Sequence, residues 1–225
     1  MSTYVMSDIH GHFDEFLSIL NLIEFKDEDT LYILGDIIDR GTKSLLLFDY
    51  IISHKNIILL KGNHEELFEN FYLTGNTSLW FDNGGNTTYT ELLSKDDYYI
   101  DTMYKYIRKL PTIKLIDNFI LVHAELFYPE DYNEFTIYEL IQKQYNNRKI
   151  NLWGRDNIKI KNKLDDYIII SGHTPTQQIS PSFESKILNR NGLIYIDCGI
   201  YQESDGKLAC LRLDDMKEFY INRII

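Results

Sequence analysis

The sequence is poor in cysteine and has no long apolar run. Two of its 225 residues are cysteines, Cys198 and Cys210, and their spacing is not that of a thiolate metal site. We expect both to be buried, reduced thiols. Because the chain has neither a run of 18 apolar residues nor a signal-sequence pattern, membrane insertion and secretion are not favoured. A cytoplasmic location is therefore expected.

Basic residues are also scarce relative to acidic ones. The chain has 23 Lys and Arg residues and 34 Asp and Glu residues, which gives a formal net charge of -11. Nucleic-acid-binding proteins neutralise phosphates with clustered Lys and Arg, so no extended nucleic-acid binding is expected. A polyanionic partner would need a local cationic centre. The apolar content of 44% is ample for one large core, and we take residues 1–225 as a single domain.

The first seventy or so residues repeat a strand, a loop and a helix three times. Helices are expected at Phe13–Ile23, at about Ser44–His54 and through about Phe71. The strands that precede them are predicted at Tyr4–Met6, Thr30–Leu34 and Ile57–Leu60. Three such units favour a mostly parallel sheet with helices packed outside it, and ligands gather at the carboxyl ends of such strands.

The rest of the chain has a different pattern. Residues 79–110 carry a turn at Asn83-Gly84-Gly85 and tyrosine-rich helical stretches, which predict a helical insertion that walls the site. A helix near Ile137–Tyr145 interrupts a charged, Asn- and Lys-rich stretch, Tyr128–Lys163, that otherwise indicates a mobile loop. A second sheet is expected because short strands are predicted at Thr112–Ile116, Phe119–His123, Tyr167–Ser171, Leu193–Asp197, Leu208–Leu213 and Glu218–Asn222.

Five short segments end in residues that bind metal or phosphate, and they hold four of the six histidines. The segments are Asp8-Ile9-His10, Gly35 to Gly41, Gly62-Asn63-His64-Glu65, His123-Ala124 and Gly172-His173. Each follows or closes a predicted strand, so their side chains can enter one crevice. Asp, His and Asn, without Cys, are the ligand types of an oxygen- and nitrogen-coordinated pair of divalent ions, and such a pair can hydrolyse phosphate esters.

Individual residue types in these segments suit that chemistry. Asp8 and His10, directly after a strand, can give one ion a carboxylate oxygen and an imidazole nitrogen. The planar guanidinium of Arg40 suits bidentate capture of a phosphoryl group. Asn63 offers a neutral oxygen ligand beside His64, which could donate a proton to a leaving group.

In order and spacing, the five segments resemble the motifs of calcineurin-like metallophosphoesterases, and specifically of the phosphoprotein phosphatase branch. The resemblance spans Asp8 to Asp197. It implies an α/β fold in which a two-sheet β-sandwich is flanked by helices, in four layers ordered α/β/β/α. It also implies two divalent metal ions as cofactors. Manganese is the first choice, and the ligand types permit iron, zinc or nickel.

The resemblance implies a role for each matched residue. Asp8 and His10 resemble ligands of the first ion, and Asp36 resembles the carboxylate that bridges both ions. The second ion's ligands are matched by Asn63, His123 and His173.

The remaining matched residues would act on the substrate. Arg40 resembles a phosphate clamp, and Arg155, in Trp153-Gly154-Arg155, matches a second one. Asn63 is expected to contact the phosphate as well as a metal ion. His64 and Asp39 resemble an acid dyad that protonates the leaving group.

The implied reaction is hydrolysis of a phosphate monoester by direct attack of a metal-bridging hydroxide. Phosphoserine or phosphothreonine in a phosphorylated protein is the expected substrate. The resemblance implies that relatives which cleave diadenosine tetraphosphate symmetrically share the metal ligands but commonly lack the pairing seen here at Asp39 and Arg40. A symmetrical bis(5'-nucleosyl)-tetraphosphatase, acting on a dinucleoside polyphosphate, is therefore the alternative, and a catalytically silent phosphate-binding module is a remote one.

Three further positions carry expectations. The glycine usual after His123-Ala124 is Glu125 here, and its carboxylate could alter substrate fit or meet a metal-bound water. Glu65 is expected to brace its own loop. Asp197, in a segment that also resembles a family element near the site, is expected to be structural rather than a ligand.

Overall fold

Two five-stranded mixed sheets form the centre of the computed structural model, which describes residues 1–156, 162–190, 192–202 and 205–224. The first sheet has the order β10-β9-β1-β2-β3 and the second β4-β5-β6-β8-β7. In chain order the strands are β1 Thr3–Met6, β2 Thr30–Ile33, β3 Ile57–Leu59, β4 Ile113–Ile116, β5 Phe119–Val122, β6 Ile168–Ser171, β7 Leu188–Arg190, β8 Leu193–Tyr195, β9 Lys207–Arg212 and β10 Lys217–Asn222.

The first sheet combines a parallel half with an antiparallel half. Strands β1, β2 and β3 pair in parallel, as the three repeated units predict. Strands β9 and β10 complete this sheet, because β9 pairs antiparallel with β1 and β10 pairs antiparallel with β9. The expectation that all the later strands belong to a second sheet is therefore wrong for these two. Alternation along a strand shows that it pairs but not which strand it pairs with.

The helices lie on the outer faces of the sheets. They are α1 Phe13–Leu22, α2 Ser44–Ser53, α3 Asn63–Thr74, α4 Ser78–Asp82, α5 Asn86–Leu92, α6 Asp97–Arg108, α7 Ile137–Gln144, α8 Arg148–Trp153 and α9 Thr176–Ile179, with a 3₁₀ turn at Tyr132–Glu134. None of the helices in the described ranges is both long enough and apolar enough to cross a membrane.

The structure bears differently on two predictions, the helical insertion and the mobile loop. Helices α4, α5 and α6 fill the predicted insertion at 79–110. The Asn- and Lys-rich stretch is expected to be loop apart from one helix. This prediction is wrong at α8, which is helical. The part of that stretch at residues 157–161 lies outside the described residues.

Alternation along the strands builds the layers. On β1, Tyr4 and Met6 pack toward the helices, whereas Val5 packs between the sheets. Each fully buried aliphatic side chain stabilises the fold by roughly 1.5–3 kcal/mol relative to an exposed one. The layer between the sheets is formed by Val5, Tyr32, Leu34, Leu60, Leu121, Ile170, Ile194, Ile196, Leu211 and Leu213.

This arrangement confirms the expected α/β sandwich with helices on both outer faces. A third buried cluster, which includes Ile120 and Ile169, covers the outer face of the second sheet. Cys198 and Cys210 are both buried and form no disulfide. The carboxyl ends of the parallel strands in both sheets point to one edge of the sandwich, where the five segments lie.

Candidate active site

Hydrogen bonds tie the five segments to one another. The N–H groups of Asp8 and His10 donate to the carbonyls of Gly35 and Asp36, at 3.2 and 2.9 Å. In the second sheet, the N–H of Gly172 donates to the carbonyl of His123 at 2.8 Å. Oδ1 of Asp36 accepts the His64 N–H and Oδ2 of Asp8 accepts the His173 N–H, both at 2.9 Å, and these two bonds complete one connected network.

The site backbone is unusual in its conformation. Six of the predicted site residues have positive φ angles, between 48° and 73°. A non-glycine residue in such a conformation costs on the order of 1–3 kcal/mol, so the surrounding contacts must hold it there, and such strain gathers at functional sites. These residues are Asp8, His10, Asp36, Asp39, Arg40 and His173.

Two glycines allow the loops to approach the carboxylates closely. A Cβ atom at Gly62 would lie 2.1 Å from Oδ1 of Asp36, and one at Gly172 would lie 2.1 Å from Oδ2 of Asp8. Both distances are too short for a side chain, so these positions require glycine. The sequence interpretation of these glycines as backbone positions rather than catalytic groups agrees with this geometry.

Two groups of metal-binding side chains converge on Asp36. His10, Asp36 and His64 place ligand atoms within 4.8 Å of one another, and so do Asp36, His123 and His173. Oδ1 of Asn63 lies 2.9 Å from Nε2 of His123 and 3.0 Å from Nδ1 of His173, which places it in the second group. Asp36 is the carboxylate that both groups share.

Asp8 lies beside these groups but outside the converging sets. Its Oδ2 accepts the N–H of His173 at 2.9 Å and also the hydroxyl of Ser7. His64, which we predicted as an acid and not as a ligand, belongs to the first converging set. The structure therefore assembles every predicted metal residue at one place.

The histidine rings are presented in the form that binds metal. His10 and His123 each place Nδ1 against a backbone carbonyl, Ile38 O at 2.9 Å and Leu34 O at 2.8 Å, so each Nε2 faces the cluster. Burial lowers the pKa of both rings, and it lowers the pKa of His173 to about 2. The rings are neutral at pH 7, and neutral imidazole is the ligand form.

The buried carboxylates favour a cation at the same place. Burial raises the pKa of Asp36 well above its usual range, and the neighbouring Asp8 charge raises it further. Burial and Asp8 likewise raise the pKa of Asp197, whose Oδ2 is buried without a hydrogen-bond partner among the described residues. Divalent cations reverse such destabilisation. The set of Asp, His and Asn donors fits divalent ions that take oxygen and nitrogen ligands.

The two predicted phosphate-binding arginines reach the cluster from different loops. Arg40 donates from Nη1 to Nε2 of His10 at 2.9 Å, and its guanidinium carbon lies 3.9 Å from the ring centroid of Tyr201. Arg155, which is exposed, donates from Nε to Nε2 of His173 at 3.2 Å. Both side chains can therefore meet an anion held at the cluster.

The predicted acid dyad is present as a short contact. Nδ1 of His64 lies 2.7 Å from Oδ2 of Asp39, and both side chains are almost fully buried. Burial lowers the pKa of His64, but the charge of Asp36 and the hydrogen bond to Asp39 outweigh that effect, so its pKa is raised. A raised pKa favours the protonated, proton-donating form of this ring.

Sequence reasoning missed the residues that hold Asp39 in place. Nε1 of Trp80 donates to Oδ2 of Asp39 at 2.8 Å. Thr88 donates its hydroxyl proton to Oδ1 of Asp39 at 2.7 Å and accepts the Asp39 N–H at 2.8 Å. Both come from the helical insertion, and no local pattern marks them. The insertion therefore orients the dyad.

Glu65 braces its loop, as expected. Its carboxylate accepts three backbone N–H groups, those of Asp36 and Gly62 at 2.8 Å and that of Ile37 at 3.0 Å. The side chain is fully buried. A carboxylate that accepts several N–H groups in the interior strongly stabilises the fold that supplies them.

Glu65→Gln should therefore destabilise the metal-free protein by about 2–4 kcal/mol, because the amide NH₂ faces N–H donors that then lose their acceptor. Urea unfolding in the presence of a chelator measures this without a contribution from bound metal. Glu28→Gln, at an exposed position, is the matched control and should stay within about 0.5 kcal/mol of wild type. Equal stability of the two variants would refute the bracing role.

Comparison with known proteins places this site in a family. The family model described as calcineurin-like phosphoesterase matches residues 1–199. A curated relative, the symmetrical bis(5'-nucleosyl)-tetraphosphatase of Hamiltonella defensa subsp. Acyrthosiphon pisum (strain 5AT), is 31% identical over 131 residues. The alignment covers 56% of this chain and 45% of that relative, so it spans less than half of the relative's length.

Two solved structures share the fold at low sequence identity. One, provisionally described as a diadenosine tetraphosphatase, has a TM-score of 0.65 and 17% identity, over 99% of this chain and 94% of that one. The other, a protein serine/threonine phosphatase from Saccharomyces cerevisiae, has a TM-score of 0.59 and 17% identity, over 100% of this chain and 80% of that one. Taken with the family-model match, these findings show that the chain belongs to the calcineurin-like phosphoesterases, a family of metal-dependent phosphate-ester hydrolases.

Proposed function

We propose that this chain is a two-metal phosphomonoesterase whose substrates are phosphoserine and phosphothreonine in proteins. The observation that carries the proposal is the His64–Asp39 contact of 2.7 Å beside Arg40, which also reaches His64 at 3.2 Å. A proton donor and a cationic clamp thus lie next to the shared carboxylate Asp36. Hydrolysis of a monoester with a poor leaving group requires such a general acid and such a cationic group.

The metal ligands are assigned to two ions that share Asp36. His10 and Asp8 would hold the first ion, and Asn63, His123 and His173 the second, with Asp36 between them. When bound, the ions supply an activated water and offset the negative charge of the phosphate. Manganese is proposed first, and iron, zinc and nickel suit the same donors.

The remaining side chains act on the phosphate and its leaving group. Arg40 and Arg155 reach the cluster from separate loops, so together they can bind non-bridging oxygens of a dianionic phosphate. Asn63 lies among the metal ligands and can offer its amide N–H to the same group. His64, oriented by Asp39, can give its proton to the departing oxygen.

The proposed domain comprises the whole chain, 1–225. The family model ends at residue 199, but β9, which comes later, pairs with β1, and β10 pairs with β9. A strand that pairs with the strand leading to Asp8 belongs to the unit that holds the site.

The proposal is tested by a substrate panel on manganese-loaded protein. Phosphoserine and phosphothreonine peptides, diadenosine tetraphosphate, and the mono- and bis-p-nitrophenyl esters of phosphate are assayed side by side. The peptides and the monoester should be hydrolysed in preference to the diester and the dinucleotide. Exclusive turnover of diadenosine tetraphosphate would overturn the proposed substrate.

A second candidate function is symmetrical cleavage of dinucleoside tetraphosphates. The observation that favours it is the name of the curated relative, which is a symmetrical tetraphosphatase. Cleavage of diadenosine tetraphosphate to two ADP molecules, at a rate above that of the peptides, would establish it. Protein that binds ions but hydrolyses none of these compounds would instead be a catalytically silent phosphate-binding module.

A further inference from the structure

Glu125 contacts the loop that carries Arg155. Its Oε2 accepts the backbone N–H of Asp156 at 2.8 Å. Asp156 directly follows Arg155, so this hydrogen bond fixes the main chain at the arginine's carboxyl side. Glu125 is 8% exposed, which shields the contact from water.

The main chain of the same segment is fixed at the other side of Arg155. Nδ2 of Asn151, on α8, donates to the carbonyl of Glu125 at 2.9 Å, and the N–H of Ala124 donates to the carbonyl of Asn151 at 2.8 Å. Helix α8 ends at Trp153, two residues before Arg155. Residues 124–125 therefore hold the chain both before and after the arginine.

Gly154 lets the glutamate side chain reach its acceptor position. A Cβ atom at Gly154 would lie 2.5 Å from both Cβ and Oε2 of Glu125. The Glu125 side chain thus passes directly against the Gly154 main chain, with no room for another side chain. Glu125 and Gly154 form a matched pair, and a glycine at position 125 would leave the Asp156 N–H without this acceptor.

The anchoring matters because Arg155 is an exposed side chain on a loop. Its Nε lies 3.2 Å from Nε2 of His173, so it reaches the cluster only while its main chain stays in place. A long exposed arginine loses conformational freedom when it binds an anion, and a fixed main chain reduces that loss. The carboxylate also accepts a charge-assisted hydrogen bond from the Asp156 N–H.

We propose that Glu125 is a positioning residue that holds Arg155 in the orientation that binds the substrate's phosphoryl oxygens. This inference rests on the proposed phosphate-binding role of Arg155. Glu125 acts through the Asp156 N–H. It governs phosphate affinity, and so KM, more than the rate of the chemical step.

The primary test measures binding of inorganic phosphate to manganese-loaded protein by calorimetry. Glu125→Ala should weaken binding about tenfold, the lower end of the loss typical when a supporting partner is removed. Glu125→Gln keeps an acceptor oxygen and should stay within about threefold of wild type. Glu125→Asp keeps the charge but loses reach, so it should resemble Glu125→Ala. Glu130→Ala, an exposed glutamate five residues on, is the matched control and should not change affinity.

A double-mutant cycle shows whether the effect passes through Arg155. In an Arg155→Ala background, Glu125→Ala should change phosphate affinity by less than about twofold, because coupled residues are not additive. Hydrogen exchange provides a readout that does not depend on activity or metal. Exchange of the Asp156 amide should be faster in Glu125→Ala and near wild type in Glu125→Gln.

Several outcomes would overturn the inference. Additive losses in the double mutant, unchanged phosphate affinity in Arg155→Ala, unchanged exchange at Asp156, or a fall in kcat without a change in KM would each do so. A failure of the proposed function is distinguishable. If no monoester is hydrolysed but the binding and exchange pattern holds, the phosphatase assignment fails and the positioning role stands.

Discussion

Asp36→Asn is expected to abolish turnover and to remove both metal ions from the protein after dialysis. Asp36 is the residue that the two converging side-chain groups share, so its charge serves both ions. The loss of affinity should exceed about a hundredfold, since removing a partner that merely supports a ligand already costs 10–100-fold. Metal content by mass spectrometry, measured beside the turnover of p-nitrophenyl phosphate, checks both parts.

The substitution is close to isosteric, so the fold should survive it. The Asp36 carboxylate accepts the His64 N–H at 2.9 Å through Oδ1, and an asparagine oxygen can accept the same bond. Burial also raises the pKa of Asp36 well above normal, so a neutral side chain relieves a cost in the metal-free protein. Asp27→Asn, at an exposed position, is the control. Metal content equal to that of the control would contradict the proposed role of Asp36 as the carboxylate shared by both ions.

His64→Asn is expected to keep both ions and to lower turnover by about 10²–10⁴, the contribution of general acid catalysis. The loss should be largest for phosphoserine peptides, whose alkoxide leaving group needs a proton, and smallest for p-nitrophenyl phosphate. Asp39→Asn should show the same ranking, because the 2.7 Å contact makes Asp39 the group that orients the ring. Steady-state kinetics with a series of esters that differ in their leaving groups measures the loss of turnover in both variants.

The control for this series is His54→Asn, because His54 stacks on Tyr50 away from the cluster. It should leave kcat unchanged for every ester. Equal losses for good and poor leaving groups in His64→Asn would contradict the acid role. Loss of metal from that variant would instead assign His64 to the first ion, since its ring lies in that converging set.

The cluster of candidate ligands could be predicted from sequence because each ligand belongs to a short local pattern. A short apolar strand ends, and Asp8, Asp36 or His123 follows at the strand's carboxyl end. The parallel pairing of β1, β2 and β3 then brings the ends together. Their meeting place is thus encoded within a few residues of each ligand, together with the rule for parallel sheets.

The supports of the cluster could not be predicted in the same way. Trp80 and Thr88 reach Asp39 across 41 and 49 residues of sequence, and nothing in the insertion shows which helix face meets that loop. Tyr201, whose ring lies under the Arg40 guanidinium, comes from still farther along the chain. Such contacts depend on how the helices and strands pack together, and the local sequence pattern does not predict that packing.

One local prediction failed for a tertiary reason, and the role of one residue was left open. Helix α8 forms in an Asn- and Lys-rich stretch because Asn151 and Leu152 are buried there, and the Asn151 amide bonds to Glu125 and Gln144. Those partners offset a poor helix propensity. The function of Glu125 was likewise open from sequence, because its partner, the Asp156 N–H, is a backbone group that every sequence offers.

The central claim is that two ions at the Asp36 cluster perform phosphate monoester hydrolysis. Titration of metal-free protein with manganese, followed by p-nitrophenyl phosphate turnover and by bound metal in the same samples, tests it most directly. We predict no activity without metal and a rise that is complete at two bound ions per chain. Turnover in the presence of a chelator, or full activity at one bound ion per chain, would contradict the claim.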